Sequence, residues 1–520
     1  MLERWPQRWA ERESDGYTLV HWAALAGSVD FLSFAIKSKV ELDVPANNGQ
    51  TPLMWAAIRG HAEALAALME ANANPHARDS LGATPLILAV QHRQTAVMLT
   101  LFARTDRERL LAETDENGCG PVHWAAYKGD LAMLKLLDYF DASFSALDHS
   151  KMTPLHRAAQ ASQAGVIVFL LEKQVDPSQL DNQGRTVLDV AEQNNDVIMR
   201  RQLLKNLDII QPQEEGVVVN DVETGTSRRT LKRKSKHNDS KQLEDWRNMF
   251  MHNAPATFWF VSVSLATFQY LTDIRQVCWT IYPSVALCFE LGVVCSIALF
   301  VVTVWTDPGK VRPRPKGASG VDELLKSLAT PSLGKAALVD ASRLCTTTWV
   351  LKEPRTKYCT RTEACVEEFD HFCGWLNVAI GRGNHRPFIF LALVEVFTQI
   401  CHFFLCWTAA GELVKAESTG LWMLAVGAQY PLTGMMIALQ GLTTPGVVML
   451  CIHQLRCVFT NMTTNEMMNS YRYPHFWKEV TSAEGITKKV FSNPFDKGGP
   501  WANCVDFWWN RRRSARGPGH

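Results

Sequence analysis

Short apolar stretches recur along the N-terminal part of the chain at a nearly constant interval. The clearest copies, at 51–57 and 153–159, read TPLMWAA and TPLHRAA. Proline costs little at the first position of a helix, where the N–H has no partner within the helix, and the paired alanines let neighbouring helices approach closely. Equivalent positions are spaced by 33, 33, 36, 33 and 33 residues. They are Leu19, Pro52, Pro85, Pro121, Pro154 and Val187. The pattern predicts six stacked helical units.

A period of about 33 residues with this motif is the signature of ankyrin repeats, so we expect an ankyrin solenoid over 16–207. Six units suffice to bury a continuous core between neighbouring repeats. Trp22, Trp55 and Trp124 share one phase of the repeat and are expected along one surface of the stack. Two interpretations stay open for this surface. It captures a substrate peptide, since exposed tryptophans are frequent binding anchors, or its rings pack between repeats.

The composition changes after the repeats. Residues 208–253 are mostly polar with few aromatics, which predicts a flexible basic linker. Its basic run, RRTLKRK at 228–234, is interpreted as the cytosolic flank of a membrane span. Four apolar segments follow, near 255–272, 281–305, 387–409 and 421–457. Each is long enough for a spanning helix, which needs about 20 residues.

These segments predict an all-α fold, an ankyrin-repeat solenoid followed by a polytopic helical membrane domain. Two transmembrane helices are expected within 254–305 and two within 387–457. The last segment is over-long and contains Pro431 and Pro445, so one kinked crossing with an interfacial piece and two crossings both fit. The positive-inside bias favours one crossing and places both termini in the cytosol. A Cys-rich segment at 306–386 and a tail at 458–520 then share that side.

Charge and cysteine usage narrow the class of protein. The 520-residue chain has a net charge of +1, and no basic stripe of the kind that a nucleic-acid binder needs is visible outside the linker. Its 13 cysteines are scattered, several of them within apolar runs. This is no disulfide framework and suits a reducing cytosol with membrane helices. The N-terminal MLERW has no apolar core of a signal peptide, so no cleaved leader is expected.

The candidate chemistry lies in Asp370-His371-Phe372-Cys373-Gly374-Trp375, between the second and third apolar segments. A thiol attacks as the thiolate, and a neighbouring imidazole can take its proton. A carboxylate can fix the tautomer of that imidazole and stabilise its charged form. Cys373 as nucleophile, His371 as base and Asp370 as the orienting group therefore make up a complete nucleophilic set.

The surrounding motifs resemble the DHHC-type protein S-acyltransferases (palmitoyltransferases) with N-terminal ankyrin repeats. The chain has DPG at 307–309, a Cys-rich segment from Leu344 to His371, and GNHR at 383–386. TTNE at 463–466 is similar to the TTxE motif of the family, and NPFDKG at 493–498 to its C-terminal segment. The resemblance implies that the last two motifs, with Asn503, tie the tail to the Cys-rich domain and the membrane helices.

The resemblance also implies two zinc sites of Cys/His type, but the matching positions are largely substituted. The first site corresponds to Cys345, Thr348, Tyr358 and Cys365, and the second to Cys359, Thr362, Phe372 and Ala379. Structural zinc needs four Cys/His ligands, so we expect no bound zinc. A rearranged site from the three cysteines and a further histidine is the alternative. The losses spare Asp370, His371 and Cys373, which favours a working enzyme.

The activity implied is palmitoyl transfer from acyl-CoA to substrate cysteines through an acyl-Cys373 intermediate. The acyl chain would lie among the apolar helices. CoA phosphates would meet basic side chains, whose alternative role is contact with lipid headgroups. The candidates are Lys352, Arg355, Lys357, Arg386 and Arg382. The resemblance further implies protein substrates recruited by the repeats, and a Golgi or related endomembrane.

Two other functions compete with this one. The first is a catalytically inactive membrane scaffold that recruits partners through its repeats. The second is an ion channel, which is disfavoured because the apolar segments lack polar residues at helical spacing. At the site itself, Gly374 stands where most relatives have proline, which would loosen the turn beside Cys373. Trp375 either covers the site or, as we expect, is buried by packing.

Overall fold

A computed structural model describes residues 11–194, 200, 203–204, 256–329, 341–415, 418–481 and 487–510. The basic run at 228–234 and the arginines at 511–513 lie outside these ranges. The chain divides into two compact units. One comprises Met1–Thr226 with Pro313–Leu351, and the other Ser227–Arg312 with Lys352–His520. The described part of the chain is mostly helical, as the sequence predicts, with short strands near the candidate site.

The repeats begin at the predicted residues. Twelve helices of the array have bounds within the described residues: α1 Leu19–Leu25, α2 Val29–Lys37, α3 Pro52–Arg59, α4 Ala62–Glu70, α5 Pro85–Gln91, α6 Thr95–Arg104, α7 Arg107–Ala112, α8 Pro121–Lys128, α9 Leu131–Tyr139, α10 Pro154–Gln160, α11 Ala164–Glu172 and α12 Val187–Gln193. Threonine caps α3, α5, α10 and α12 by accepting from the third helical N–H. The one longer spacing, between α5 and α8, contains the additional helix α7. Each of the six equivalent positions thus begins a helix.

The three tryptophans do not form one exposed surface. Trp22 is 43% exposed, whereas Trp55 is only 8% exposed and packs edge-to-face against Trp22 with ring centroids 5.4 Å apart. Trp124 is half-buried, and its indole N–H donates to Asp115 Oδ2 at 2.9 Å. Packing within the array therefore accounts for Trp55 and Trp124, and Trp22 is the one of the three with an exposed ring.

A segment that the sequence assigns to the Cys-rich domain packs on the repeats instead. Helix α13, Gly320–Ala329, lies against α6. Its Val321, Leu324 and Leu328 are buried in the apolar core of the array. The hydroxyl of Tyr139 lies 2.8 Å from Asp322. The ring of Trp349 lies 4.8 Å from that of Tyr139. The boundary expected at 306 therefore does not describe residues 313–351.

Three described helices are long and apolar enough to cross a membrane: α15 Pro283–Trp305, α16 His385–Leu413 and α18 Pro431–Thr460. The first predicted segment is helical over 256–269, but a π-helical turn at Tyr270–Ile274 separates it from α14, Arg275–Ile281. The over-long last segment divides at Tyr430 into α17, Thr419–Gln429, and α18. An 11-residue helix is about 16 Å long, too short to cross a bilayer.

Short antiparallel strands hold the segment between α15 and α16. Strands β1 Lys310–Val311 and β2 Lys357–Cys359 both pair with β3 Ala364–Val366. Strand β4 His371–Cys373 pairs with β5 Val378–Ile380. A Cβ atom at Gly383 would collide with the carbonyl oxygen of Asp307. The glycine of the GNHR motif is thus required for close approach of the DPG turn.

The tail after α18 contains α19 Thr464–Asn469, a hairpin of β6 Trp477–Thr481 and β7 Thr487–Phe491, and α20 Pro500–Trp509. Asn493 donates to the carbonyl of Thr460 at 2.6 Å, and Asn503 donates to that of Phe459 at 2.8 Å. Both asparagines bind carbonyls at the C-terminal end of α18. These bonds tie the tail to a membrane helix, which is the structural role expected for the motif.

Candidate active site

The candidate nucleophile and base share one face of a strand. Side chains two residues apart point to the same side of a β-strand, so β4 places His371 and Cys373 together. Phe372 faces the other way and packs with an apolar cluster of Cys359, Val366, Phe369 and Ala379. Pairing fixes the register, with His371 opposite Ile380 and Cys373 opposite Val378. The spacing of the D-H-x-C string is therefore the spacing that a strand needs to bring imidazole and thiol together.

The three predicted catalytic side chains lie together in the structure. His371 Nδ1 lies 2.7 Å from Asp370 Oδ2, and its imidazole also forms a hydrogen bond with Cys373. Asp370 is fully buried, Cys373 is 6% exposed, and the side chain of His371 is 26% exposed. With Nδ1–H donating to the carboxylate, Nε2 is the nitrogen left to take a proton from the thiol.

Residues outside the motif hold the carboxylate. Thr464 donates to Asp370 through its backbone N–H at 2.6 Å and its hydroxyl at 2.9 Å. Gln454 Nε2 donates to Asp370 at 3.2 Å, while Gln454 Oε1 lies 2.8 Å from Nε2 of His385. The TTNE and GNHR motifs therefore meet at Asp370. Gln454 was not among the predicted residues, because its only signal is an amide within the last apolar segment.

The charges of this cluster shift the pKa values of His371 and Asp370. Burial would lower the pKa of His371, but hydrogen bonds to Asp370 and Cys373 outweigh it and raise the pKa to about 9. Burial would likewise raise the pKa of Asp370. The nearby imidazoles of His385 and His371, with the Thr464 N–H, reverse that effect and hold the pKa well below its usual range. The structure therefore favours an ionised aspartate beside a protonated imidazole at neutral pH.

Cys373 opens onto a cavity of about 670 Å³ between the apolar helices. Its walls come from residues 256–269 and from α15, α16 and α18, and most of them are apolar side chains. Phe388 and Leu391 of α16 lie in the same buried cluster as Cys373. A thiol at the mouth of such a cavity is placed to react with the head of a ligand whose apolar tail lies inside.

Residues 339–471 match the family model of DHHC palmitoyltransferases, and residues 6–79 and 122–213 match that of ankyrin repeats. The chain carries a DHHC palmitoyltransferase domain joined to ankyrin repeats. By length and composition, three of its described helices could cross a membrane. The family resemblance seen in the motifs is confirmed.

Curated relatives match this chain over long stretches. Palmitoyltransferase AKR1 of Lachancea kluyveri is 28% identical over 348 residues, covering 59% of this chain and 46% of the relative. Palmitoyltransferase ZDHHC17 of Danio rerio is 24% identical over 440 residues, covering 75% and 66%. The human ZDHHC17 is 25% identical over 439 residues, covering 75% and 64%. The chain therefore spans about half to two thirds of the length of these relatives.

Within the DHHC domain, Arg355 does not have the environment of a CoA ligand. Its side chain is 4% exposed and pairs with Glu466, with Nη2 2.8 Å from Oε2. It also donates to Asn461 and lies over the ring of Phe495 at 4.5 Å. A buried, fully engaged guanidinium ties the TTNE motif to the Cys-rich segment, so a structural role replaces the predicted phosphate contact.

The other predicted CoA contacts differ in exposure. Lys357 Nζ lies 2.6 Å from Asn465 Oδ1 at the surface. Arg386 donates to the carbonyls of Phe507 and Asn510 at 2.7 and 2.9 Å, which are the last carbonyls around α20. Arg382 forms a half-exposed ion pair with Glu367 at 2.7 Å. Lys352 is partly exposed. Phosphate binding by Lys352, Lys357 and Arg386 stays a prediction.

The residues present do not fit the zinc sites of the family. Tyr358 is paired across the sheet with Cys365, and Phe372 with Ala379. Phe372 and Ala379 lie in one apolar cluster with Cys359. Within the described ranges, no group of three His, Cys, Asp or Glu side chains is arranged to hold a metal ion. Hydrophobic packing occupies positions where ligands are expected, and we derive no step through a metal.

Trp375 is exposed, whereas from the sequence we expected it to be buried. Its side chain is 56% exposed instead of buried, and it lines the mouth of the cavity with Phe258, whose ring centroid is 6.0 Å away. Gly374 has open space where a Cβ atom would lie, and its φ is outside the left-handed region. The glycine is therefore not required by a collision or by backbone strain at this turn.

Proposed function

We propose that this protein is a protein S-acyltransferase that moves a palmitoyl-type chain from acyl-CoA to substrate cysteines. The observation that carries the proposal is the thiol of Cys373, hydrogen-bonded to His371 and open to the apolar cavity. An ionised Asp370 beside His371, at 2.7 Å, keeps the imidazole oriented. A cavity of about 670 Å³ is in the usual range for a pocket that holds a ligand of moderate size.

In the first step, the proton of the Cys373 thiol passes to His371 Nε2, which gives the imidazolium that the hydrogen bonds to Asp370 and Cys373 favour. The thiolate attacks the thioester carbonyl of acyl-CoA, and the bond between the acyl carbon and the CoA sulfur breaks. The leaving CoA thiolate takes a proton from the imidazolium. The acyl group is then held on Cys373 as a thioester, which divides one transfer into two easier steps.

In the second step, a substrate cysteine attacks the acyl-Cys373 thioester after His371 has taken its proton. The acyl group moves to the substrate sulfur, and Cys373 leaves as the thiolate. Asp370 holds the imidazole in the required tautomer throughout, and Thr464 and Gln454 hold Asp370. Burial of each methylene of the chain contributes about 0.8 kcal/mol, which favours a long acyl group.

Transfer to Cys373 is tested with purified full-length protein and an alkynyl analogue of palmitoyl-CoA. We expect hydroxylamine-sensitive label on the unaltered chain and at least about a hundredfold less on Cys373→Ser, because a thioester forms only on the nucleophilic sulfur. Cys288→Ser, at an exposed cysteine of α15, serves as the matched control and should keep the label. Equal label on both variants, or none on any chain, contradicts the enzyme and favours the scaffold.

The finer assignments rest on the same proposal. Lys352, Lys357 and Arg386 are proposed to meet the phosphates of CoA. The repeats are proposed to recruit protein substrates, with the exposed ring of Trp22 as one contact. Four membrane crossings with both termini in the cytosol, in a Golgi-type endomembrane, remain the proposed topology and location. The relatives named above are called palmitoyltransferases, which supports the chemistry.

A further inference from the structure

The acyl cavity contains a carboxyl group that the transfer chemistry does not use. Glu395 lies on α16 and lines the cavity. It is seven residues beyond Phe388, or about 10 Å along the helix axis. Phe388 itself lies in one cluster with Cys373, and its ring is 5.2 Å from that of His371. An ionisable side chain inside an apolar helix is costly and marks a functional site by default.

Glu395 belongs to a chain of polar groups that links two helices. Gln399 Nε2 donates to Glu395 Oε1 at 3.0 Å, and Thr444 Oγ1 of α18 donates to Gln399 Oε1 at 3.0 Å. Glu395 and Gln399 both line the cavity. The cavity wall therefore changes from apolar to polar about midway along the path that a bound acyl chain would follow.

A second polar group lies deeper in the same cavity. Gln440 is 7% exposed and lines the cavity from α18. Its Nε2 is 2.6 Å from Nδ1 of His402, but among the described residues its Oε1 has no hydrogen-bond partner. A buried acceptor without a donor is destabilising. Because His402 is seven residues beyond Glu395 on α16, Gln440 lies about 10 Å farther from Cys373, and Glu395 is the polar group beside the middle of the chain.

We propose that this cavity selects acyl chains that carry a hydroxyl group in the middle of the chain. The hydroxyl would donate to the carboxyl of Glu395, and the rest of the chain would fill the apolar parts of the cavity. This selectivity rests on the proposed acyltransferase function, since it assigns the substrate class of that site. Glu395 acts here as a specificity-determining residue and takes no part in the transfer of the acyl group.

The test compares isomeric monohydroxyhexadecanoyl-CoAs in the acylation of Cys373 by purified full-length protein. The isomers carry the hydroxyl near the thioester, in the middle or at the terminal carbon. We expect the middle isomer to have a kcat/KM about tenfold above the other two, the size of effect that one buried hydrogen bond gives. Equal values for the three isomers would overturn the proposal.

Variants of Glu395 test whether this residue causes the preference for the middle isomer. Glu395→Leu should reduce the ratio between the isomers to about one, and Glu395→Gln, which can still pair with a hydroxyl, should keep most of it. Thr408→Val is the matched control, because Thr408 is on the same helix, bonds to the carbonyl of Phe404 and does not line the cavity. A preference that survives Glu395→Leu contradicts the assignment.

Failure of the acyltransferase function has a different result. In that case no acyl-CoA labels Cys373, and the cavity is tested by the thermal shift of the Cys373→Ser chain with hydroxyhexadecanoic acids. A larger Tm increase with the middle isomer than with hexadecanoic acid, lost in Glu395→Leu, supports the site without the transfer reaction. Equal Tm increases for all of these acids reject the site.

Discussion

At the residue scale, the proposed transfer chemistry depends on which groups a few side chains contact. His371 and Cys373 lie together because alternate side chains of a strand point to the same face. Asp370 is positioned by hydrogen bonds from Thr464 in the tail and from Gln454 in α18. Arg355 and Glu466 form a buried pair at 2.8 Å between the same segments. Removing one partner of such a pair leaves a buried charge, which costs several kcal/mol.

The raised pKa of His371 predicts how stability changes with pH. The protonated imidazole is favoured in the folded state, with a pKa of about 9 against 6.5 for an ordinary histidine. Its contribution to the free energy of unfolding is therefore complete below pH 6.5 and is lost as the pH rises through about 9. The measurement is the Tm difference between the unaltered chain and His371→Gln, which should shrink over that interval. A difference that grows with pH contradicts the assignment. His149→Gln, at an exposed histidine of the repeats, is the control.

At the element scale, α13 is the least expected feature. It follows β1 in the chain and precedes β2, yet its apolar face is buried in the ankyrin core. Arg104 Nε donates to the carbonyl of Leu328 at 2.9 Å, and Ser319 caps the start of the helix near Tyr139. The repeats therefore bind a segment of their own chain, and the surface formed by α6 and Tyr139 is occupied by it.

Leu324→Asp tests this packing. Leu324 is fully buried, so a carboxylate there is expected to cost about 3 kcal/mol or more and to detach α13 from the array. Limited proteolysis of the full-length chain should then show faster cleavage within 313–351. Ala329→Asp places the same group at an exposed position of the helix and should leave the cleavage rate unchanged. Identical cleavage of the two variants would show that the packing does not stabilise this segment.

At the scale of the whole molecule, packing and hydrogen bonds join the described segments of the DHHC domain, and the residues present do not fit the zinc sites that the family resemblance implies. The apolar cluster around Phe372, the Arg355–Glu466 pair and the bonds from Asn493 and Asn503 to α18 are the stabilising contacts. Structural metal normally contributes folding free energy directly. Here the same segments are joined by contacts that need no metal.

This arrangement predicts that metal removal has little effect. Purified full-length protein should contain well below one zinc ion per chain, and incubation with a strong chelator should leave both its Tm and the labelling of Cys373 unchanged. Metal content is measured by elemental analysis after size-exclusion chromatography. One zinc ion per chain, or a Tm that falls on chelation, would show that the three cysteines and a histidine form a rearranged site.

The sequence by itself determined the repeats to the residue, because a 33-residue period and a Thr-Pro start are local features that specify each first helix. It likewise indicated Asp370, His371 and Cys373 as one cluster, although it did not predict the strand that brings two of these side chains to one face. It did not reveal that Trp375 is exposed or that Trp55 is buried, because exposure depends on what else packs nearby.

Only the tertiary structure decided which distant groups meet. The placement of Gln454 against Asp370, the pairing of Arg355 with Glu466 and the packing of α13 on the repeats each join residues far apart in sequence. The cavity that Glu395 lines is likewise formed by residues far apart in sequence. Local pattern carries the period of an element and the spacing of a motif. Contacts between residues far apart in sequence depend on how complete elements pack, and no local pattern encodes them.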